Sequence, residues 1–160
     1  MGKKEKVLFI SSMGGHLSEL KMLDFKKYDY SIVTEKTDAD KDLKDKYPGR
    51  VYYLLYGTRK TPIRYFFILL FNFFKSLYLY IKLHPKVIVT TGTHTAVPMC
   101  YIAKLFRSKV IWIETFANRN TKTLAGRLVY PIADTFVVQW EEMKKLYPKA
   151  VYWGWIYWYL

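Results

Sequence analysis

The sequence predicts an α/β fold: a Rossmann-like, doubly wound and mostly parallel sheet. Three observations carry that expectation. Short, almost continuous apolar runs recur along the chain, and runs without a polar face suit strands buried on both sides, as parallel sheets require. Stretches with helical spacing separate them, an alternation that winds right-handed into βαβ units. Finally, a glycine turn, Gly14-Gly15, joins the first apolar run to the first helical stretch, where such folds bring backbone closest to a ligand.

The first strand is VLFIS (Val7–Ser11), with a helix expected over Leu17–Leu23. YSIVTE (Tyr30–Glu35) and VYYLL (Val51–Leu55) follow as strands, with a helix expected between them over Asp38–Lys46. The longest helical stretch is Pro62–Leu83. KVIVTTG (Lys86–Gly92), KVIWIE (Lys109–Glu114) and TFVVQW (Thr135–Trp140) complete the strands. Helices are expected at Thr95–Phe106, Thr121–Ile132 and Glu141–Leu146. No repeat, low-complexity tract or linker divides the chain, so residues 1–160 read as a single domain.

With 51% apolar and 24% charged residues, the chain belongs with folded globular proteins rather than disordered ones. Cys100 is the only cysteine, which excludes an internal disulfide framework and fits a reducing cytosol. Met1–Lys6 is polar and no long apolar stretch follows it, so no secretory leader is expected. The 26 Lys+Arg against 13 Asp+Glu give a net charge of +13, which favours anionic partners: nucleic acid, lipid headgroups or phosphorylated substrates. No Cys/His cluster has metal-ligand spacing, and neither a Walker loop nor a G-x-S-x-G elbow occurs. Neither a metal nor a cofactor is expected.

RYFFILLFNFFKSLYLYIKL (Arg64–Leu83) is unusually apolar for a surface helix, and its length is near the ~20 residues a membrane span needs. Asn72 and Lys75 fall near its middle, and a central lysine costs about 2.5–3.5 kcal/mol on insertion scales, which disfavours spanning. On a helical wheel Arg64, Lys75 and Lys82 lie within about 20° of one another, with Asn72 about 80° away. Phe67, Leu70 and Phe74 belong to the broad apolar remainder. A narrow basic stripe beside an aromatic face suits a helix lying in the bilayer interface. Arg59, Lys60 and Lys86 flank it. Burial between the sheet and a partner protein is the other reading.

Ligands of doubly wound sheets gather after the carboxyl ends of the strands. Ser12, Gly14, Gly15 and His16 follow the first strand and offer hydroxyl and backbone donors, with a ring that can hold an anion or move a proton. The alternative is a tight turn capped by His16. Thr91, Gly92 and Thr93 form a second hydroxyl-rich turn, an anion nest or an N-capped loop in which Thr93 and Thr95 cap the next helix. His94 is exposed or faces a ligand. Glu114 ends an apolar strand, placed either to act as a base or bind a sugar hydroxyl, or to cap the next loop. Asn118 and Arg119 follow it, and Arg119 could clamp a phosphate. Glu35 also ends a strand, but the charged run TEKTDADKD makes a solvated loop the expected setting. Trp140 is expected to pack rather than stack on a ligand.

SSMGGHLSEL, read with IETFANRNTKTLAGRLVYPIADTFVVQWEEMKKLYPKAVYWGWIY, resembles the Alg14-like proteins, including the bacterial capsule and exopolysaccharide members called glycosyltransferase enhancers. The resemblance covers nearly the whole chain. It is most specific in Glu114–Phe116, Leu124–Asp134, Val138–Trp140 and Gly154-x-Ile156-Tyr157. It implies the N-terminal-type half of a GT-B glycosyltransferase, made as a separate polypeptide. An Alg13-like partner would carry the UDP-sugar, while this half would bind the membrane and a lipid-diphosphate-linked sugar acceptor at the cytoplasmic face. Carried over, the resemblance assigns Gly14, Gly15 and His16 to the acceptor diphosphate, with His16 a possible proton acceptor, and sets Glu114, Asn118 and Arg119 beside the inter-domain cleft. Eukaryotic members begin with a membrane anchor; none is expected from Met1–Lys6 here, so attachment is expected to rest on helix 62–83. Two other classes stand beside this one: a self-sufficient homodimeric transferase, and a basic nucleic-acid-binding module. The aromatic residues cluster in one hydrophobic helix instead of alternating with lysines on strands, so no nucleic acid is expected as partner.

Overall fold

Seven strands form one sheet: β1 (Lys6–Ile10), β2 (Asp29–Glu35), β3 (Val51–Leu54), β4 (Val87–Thr90), β5 (Lys109–Ile113), β6 (Thr135–Val138) and β7 (Val151–Tyr152). Every pairing is parallel, and the order is β3-β2-β1-β4-β5-β6-β7. This is the α/β, Rossmann-like sheet that the alternation of runs predicts. The structure is a computed structural model in which residues 4–38, 42–58, 60 and 62–157 are described; Arg59 and Trp158–Leu160 lie outside them.

The helices are α1 (Gly15–Lys21), α2 (Leu43–Lys46), α3 (Pro62–Leu83), α4 (Val97–Leu105) and α5 (Leu124–Val129). Helix α5 is half the expected length, losing three residues at each end; it starts after Thr123, whose hydroxyl accepts from the Gly126 N–H at 2.9 Å. The expected helix at 141–146 is a 3-10 turn. Helix α3 matches its expected limits, ending where His84 takes a left-handed φ of 45° and Pro85 cannot continue the helix.

Successive strand residues serve opposite layers. Leu8, Ile10, Ile88, Val110, Trp112 and Val138 join Leu79, Met99 and Val129 of α3, α4 and α5 in one core. Val7, Phe9, Val89, Ile113 and Val137 join Leu17 and Leu20 of α1 and Phe25 of a 3-10 turn in the other. That second layer is incomplete. A hollow of about 740 Å³, floored by Val7, Val89 and Ile111 and rimmed by Lys27, Lys86 and Lys109, lies open on the sheet.

Helix α3 turns Asn72 and Ser76 inward. Asn72, Ser76, Leu79 and Tyr80 are buried, whereas Ile63, Phe67, Leu70, Phe74, Tyr78 and Ile81 are 45–78% exposed and fall on the opposite side of the helix. The Asn72 amide accepts from the Leu55 N–H and donates to the Leu55 carbonyl, both at 2.9 Å. Asn72 therefore closes the end of β3 and is not a polar residue facing lipid. Lys75 is half-buried with its ammonium 5.7 Å from the Tyr78 ring, and Lys82 lies 5.3 Å from the Tyr52 ring. Arg64 is exposed. Among the described residues α3 is the one helix long and apolar enough to cross a membrane by length and composition. Its second half packs against α4 and the strand ends, so lipid cannot surround it along its full length.

Replacing Asn72 with Ala strands the Leu55 N–H and C=O, and a loss of about 2 kcal/mol of stability is expected. Urea unfolding with an unchanged m-value is the measurement; a loss below about 0.5 kcal/mol would show that the amide does not hold α3 to β3.

Candidate functional site

Strand order reverses between β1 and β4, since β1 pairs with β2 on one side and β4 on the other. The connections leave on opposite sides and a crevice opens at the carboxyl ends, the usual ligand position of such sheets. His16, at the head of α1, meets the loop after β4 here. Its Nδ1 lies 2.8 Å from the Thr91 carbonyl, and the Thr91 hydroxyl donates to the His16 carbonyl at 2.7 Å. A carbonyl only accepts, so Nδ1 carries a proton, and in the neutral form of the ring Nε2 is the acceptor. Gly92, at φ 94°, backs the ring; a Cβ there would lie 3.5 Å from the imidazole and 3.6 Å from Trp112.

The glycine turn itself stands in open space. Gly14 has φ 75°, which favours glycine. Gly15 has no such backbone demand, and a Cβ added there would meet nothing within 4 Å. Ser12 is buried with only a 3.5 Å contact to the Met13 carbonyl, and the Ser11 hydroxyl is buried with no hydrogen-bond partner among the described residues.

Glu35 corrects the expectation of a solvated loop. It is the last residue of β2 and only 2% exposed; the charged run begins after it. Its carboxylate accepts from the Thr95 hydroxyl at 2.5 Å and from the Met13 N–H, and lies 3.8 Å from His94 Nε2. Burial raises its pKa, opposed by those hydrogen bonds and by His16. Glu35 thus supports both turns from beneath. Thr95 is consequently not a cap, and Thr93 caps only through its backbone carbonyl, which accepts from Ala96 at 3.0 Å.

Glu114 is 2% exposed and enclosed. It accepts from the Thr123 hydroxyl at 2.9 Å and the Trp112 indole at 3.3 Å, with the Tyr147 hydroxyl at 3.5 Å. Of the readings open in the sequence, this geometry matches the loop cap, since Thr123 is the residue that starts α5. Gly126 is needed for the closeness of that packing: a Cβ would fall on the Glu114 carboxylate and 2.6 Å from the Tyr147 hydroxyl. Burial raises the Glu114 pKa, opposed by Thr123, Trp112 and the Thr115 N–H.

Glu19 escaped the sequence reading. It is 4% exposed and accepts from the Thr115 hydroxyl at 2.8 Å, the Phe116 N–H at 3.2 Å and Gln139 Nε2 at 3.0 Å. Gln139 also donates to the Glu114 carbonyl and accepts from the Ile156 N–H, so one carboxylate on α1 gathers the ends of β5 and β6 and the returning tail. Its spacing three residues after His16 was the available signal. Asn118 is engaged within its own loop, its amide donating to the Thr121 carbonyl at 2.6 Å and accepting from the Thr121 hydroxyl at 2.7 Å. Arg119 lies over the Trp140 ring at 4.9 Å and 3.4 Å from Glu142. Trp140 packs against Phe116, as expected, with centroids 5.0 Å apart.

The folded state holds Glu114 with a raised pKa, so its contribution to stability is full below the unfolded value and fades as pH rises through the folded one. Glu114→Gln removes the charge and keeps the shape. From about pH 4 to about pH 8 the stability difference is expected to move in favour of the variant, measured by urea unfolding; a difference independent of pH contradicts the burial argument.

The profile of the family described as "Oligosaccharide biosynthesis protein Alg14 like" matches residues 6–156. The UDP-N-acetylglucosamine transferase subunit ALG14 of Candida albicans is 36% identical over 91 aligned residues, covering 53% of this chain and 42% of that protein. The subunit of the same name from Homo sapiens is 27% identical over 175 aligned positions, covering 92% of this chain and 81% of its own length. The chain thus spans less than half of the Candida relative. Among solved structures, Acinetobacter baumannii MurG superposes with a TM-score of 0.67 at 17% identity, over 86% of this chain and 42% of MurG. That likeness establishes a GT-B-like fold and nothing about activity. By the extent of the profile match, the chain belongs to the Alg14-like family of oligosaccharide biosynthesis proteins.

Proposed function

We propose that this chain, acting as a single domain, is the membrane-associated, acceptor-side subunit of a two-component glycosyltransferase that builds a lipid-linked polysaccharide such as a capsule or exopolysaccharide. An Alg13-like subunit would hold the UDP-sugar, and the pair would work at the cytoplasmic face of the membrane. The observation that carries the reading is Gly15. Neither its backbone conformation nor its neighbours require a glycine, and it stands at the first position of α1, where its N–H has no partner within the helix. The turn thus leaves room for a ligand to approach the backbone at the head of α1 from outside.

In this reading the acceptor diphosphate lies against Gly14, Gly15 and Ser12, opposite Thr93. His16 Nε2 takes the proton of the acceptor hydroxyl as that oxygen bonds to the anomeric carbon, and UDP departs on the partner's side. Glu114 positions the wall through Thr123 and Trp112. Asn118 and Arg119 shape the rim, and Arg119 reaches a phosphate only by leaving Glu142. The partner completes the open sheet layer, whose lysine and arginine rim suits an acidic surface. The outward stripe of α3, with Arg64, Lys75 and Lys82 at its border, lies on the bilayer; each basic residue near an anionic leaflet adds about 1 kcal/mol.

Gly15→Ala is expected to leave stability equal or higher by up to about 0.5 kcal/mol while lowering acceptor turnover by the assembled pair; unchanged turnover would remove the basis of the reading. His16→Ala should reduce turnover by about 10²–10⁴-fold without unfolding the subunit, in a transfer assay with lipid-linked acceptor. The double variant Phe67→Asp, Phe74→Asp should lose co-sedimentation with anionic vesicles, and full retention would show that α3 faces a protein instead.

A further inference from the structure

The buried residues of α3 all lie between Asn72 and Tyr80. Over residues 62–71 none is fully buried. Tyr65 packs on His94 with centroids 5.6 Å apart and Ile68 lies against Gly57. Between this half of the helix and α4 and α5 a groove of about 750 Å³ opens. Phe66, Leu70 and Phe73 form one wall, and Val97, Leu124 and Leu128 the other. In a chain with 26 Lys+Arg, none of them lines this groove. Its polar end is Thr93, His94 and Thr123. Thr93 and His94 continue the loop whose Thr91 carbonyl orients His16, and Thr123 donates to Glu114. An uncharged trough therefore runs from the proposed lipid-facing helix to the edge of the switch-point crevice.

We infer that this groove seats the headgroup-proximal segment of the acceptor's own lipid, an isoprenoid or comparable aliphatic chain, while its diphosphate rests at the glycine turn. The inference builds on the function proposed above. It follows from matching an amphiphile to the surface: an anionic head belongs where backbone and hydroxyl donors converge, and an apolar tail where charge is absent. A chain held here crosses from membrane to crevice without exposing apolar carbon to water, so the tail adds binding energy in proportion to the area it buries. A protein helix in the same trough would have no reason to end at the crevice.

The test titrates inorganic diphosphate, farnesyl diphosphate and farnesol into the purified chain in detergent-free buffer. Farnesyl diphosphate is expected to bind about tenfold or more tightly than inorganic diphosphate, and also more tightly than farnesol. Leu128→Trp, which fills the groove from α5, should abolish the preference for the farnesyl compound while leaving inorganic diphosphate and vesicle binding intact. Ala125→Phe provides a second obstruction should the first variant melt early. Equal binding of both diphosphates by the wild type overturns the groove but spares the diphosphate site. No binding of either overturns the parent reading as well. Farnesol binding as tightly as farnesyl diphosphate, or obstruction that abolishes vesicle binding or partner association but not the farnesyl preference, also overturns the assignment.

Discussion

The reciprocal pair between His16 and Thr91 is the constraint on which the site depends. One hydrogen bond fixes the imidazole and the other ties the backbone at the head of α1 to the loop after β4. They cross the point where the strand order reverses, so they join two connections that the topology drives apart. The same pair fixes the tautomer. With Nδ1 committed to a carbonyl, the ring's remaining chemistry is proton acceptance at Nε2, and it is offered beside an open glycine turn.

Two buried carboxylates and a third on α1 hold this arrangement from below. Glu35 supports Met13 and Thr95, Glu114 supports Thr123 and Trp112, and Glu19 gathers Thr115, Phe116 and Gln139. Each receives several hydrogen bonds, the condition under which a carboxyl group can be buried without large cost. The division of labour follows from exposure. The acids are enclosed and shape the walls, whereas His16 is half-exposed and faces the space where a ligand would sit.

Much of this was legible in the sequence because it depends on local pattern. The strands announce themselves as apolar runs, and α3 was bounded correctly by its apolar length and by His84-Pro85. Strand β7 was missed because two exposed residues carry no periodicity. The glycine turn and the TTGTH loop were located, but not their contact, since a separation of 75 residues leaves no local trace. The setting of Glu35 is not legible in the sequence, because its neighbours there are charged and only the fold turns it inward. Asn72 shows the same limit: on a wheel it falls on the side of the basic stripe, and only tertiary structure reveals that it holds the backbone of Leu55.

Under the proposed function, the outward apolar stripe of α3, the incomplete second layer and the switch-point crevice share one explanation, a wall completed by a bilayer and a second lobe. Calorimetric titration of the isolated chain with a lipid-diphosphate-linked sugar and, separately, with UDP-N-acetylglucosamine tests that claim most directly. Saturable binding of the first and none of the second is expected. Tight binding of the nucleotide sugar to this chain alone would contradict it.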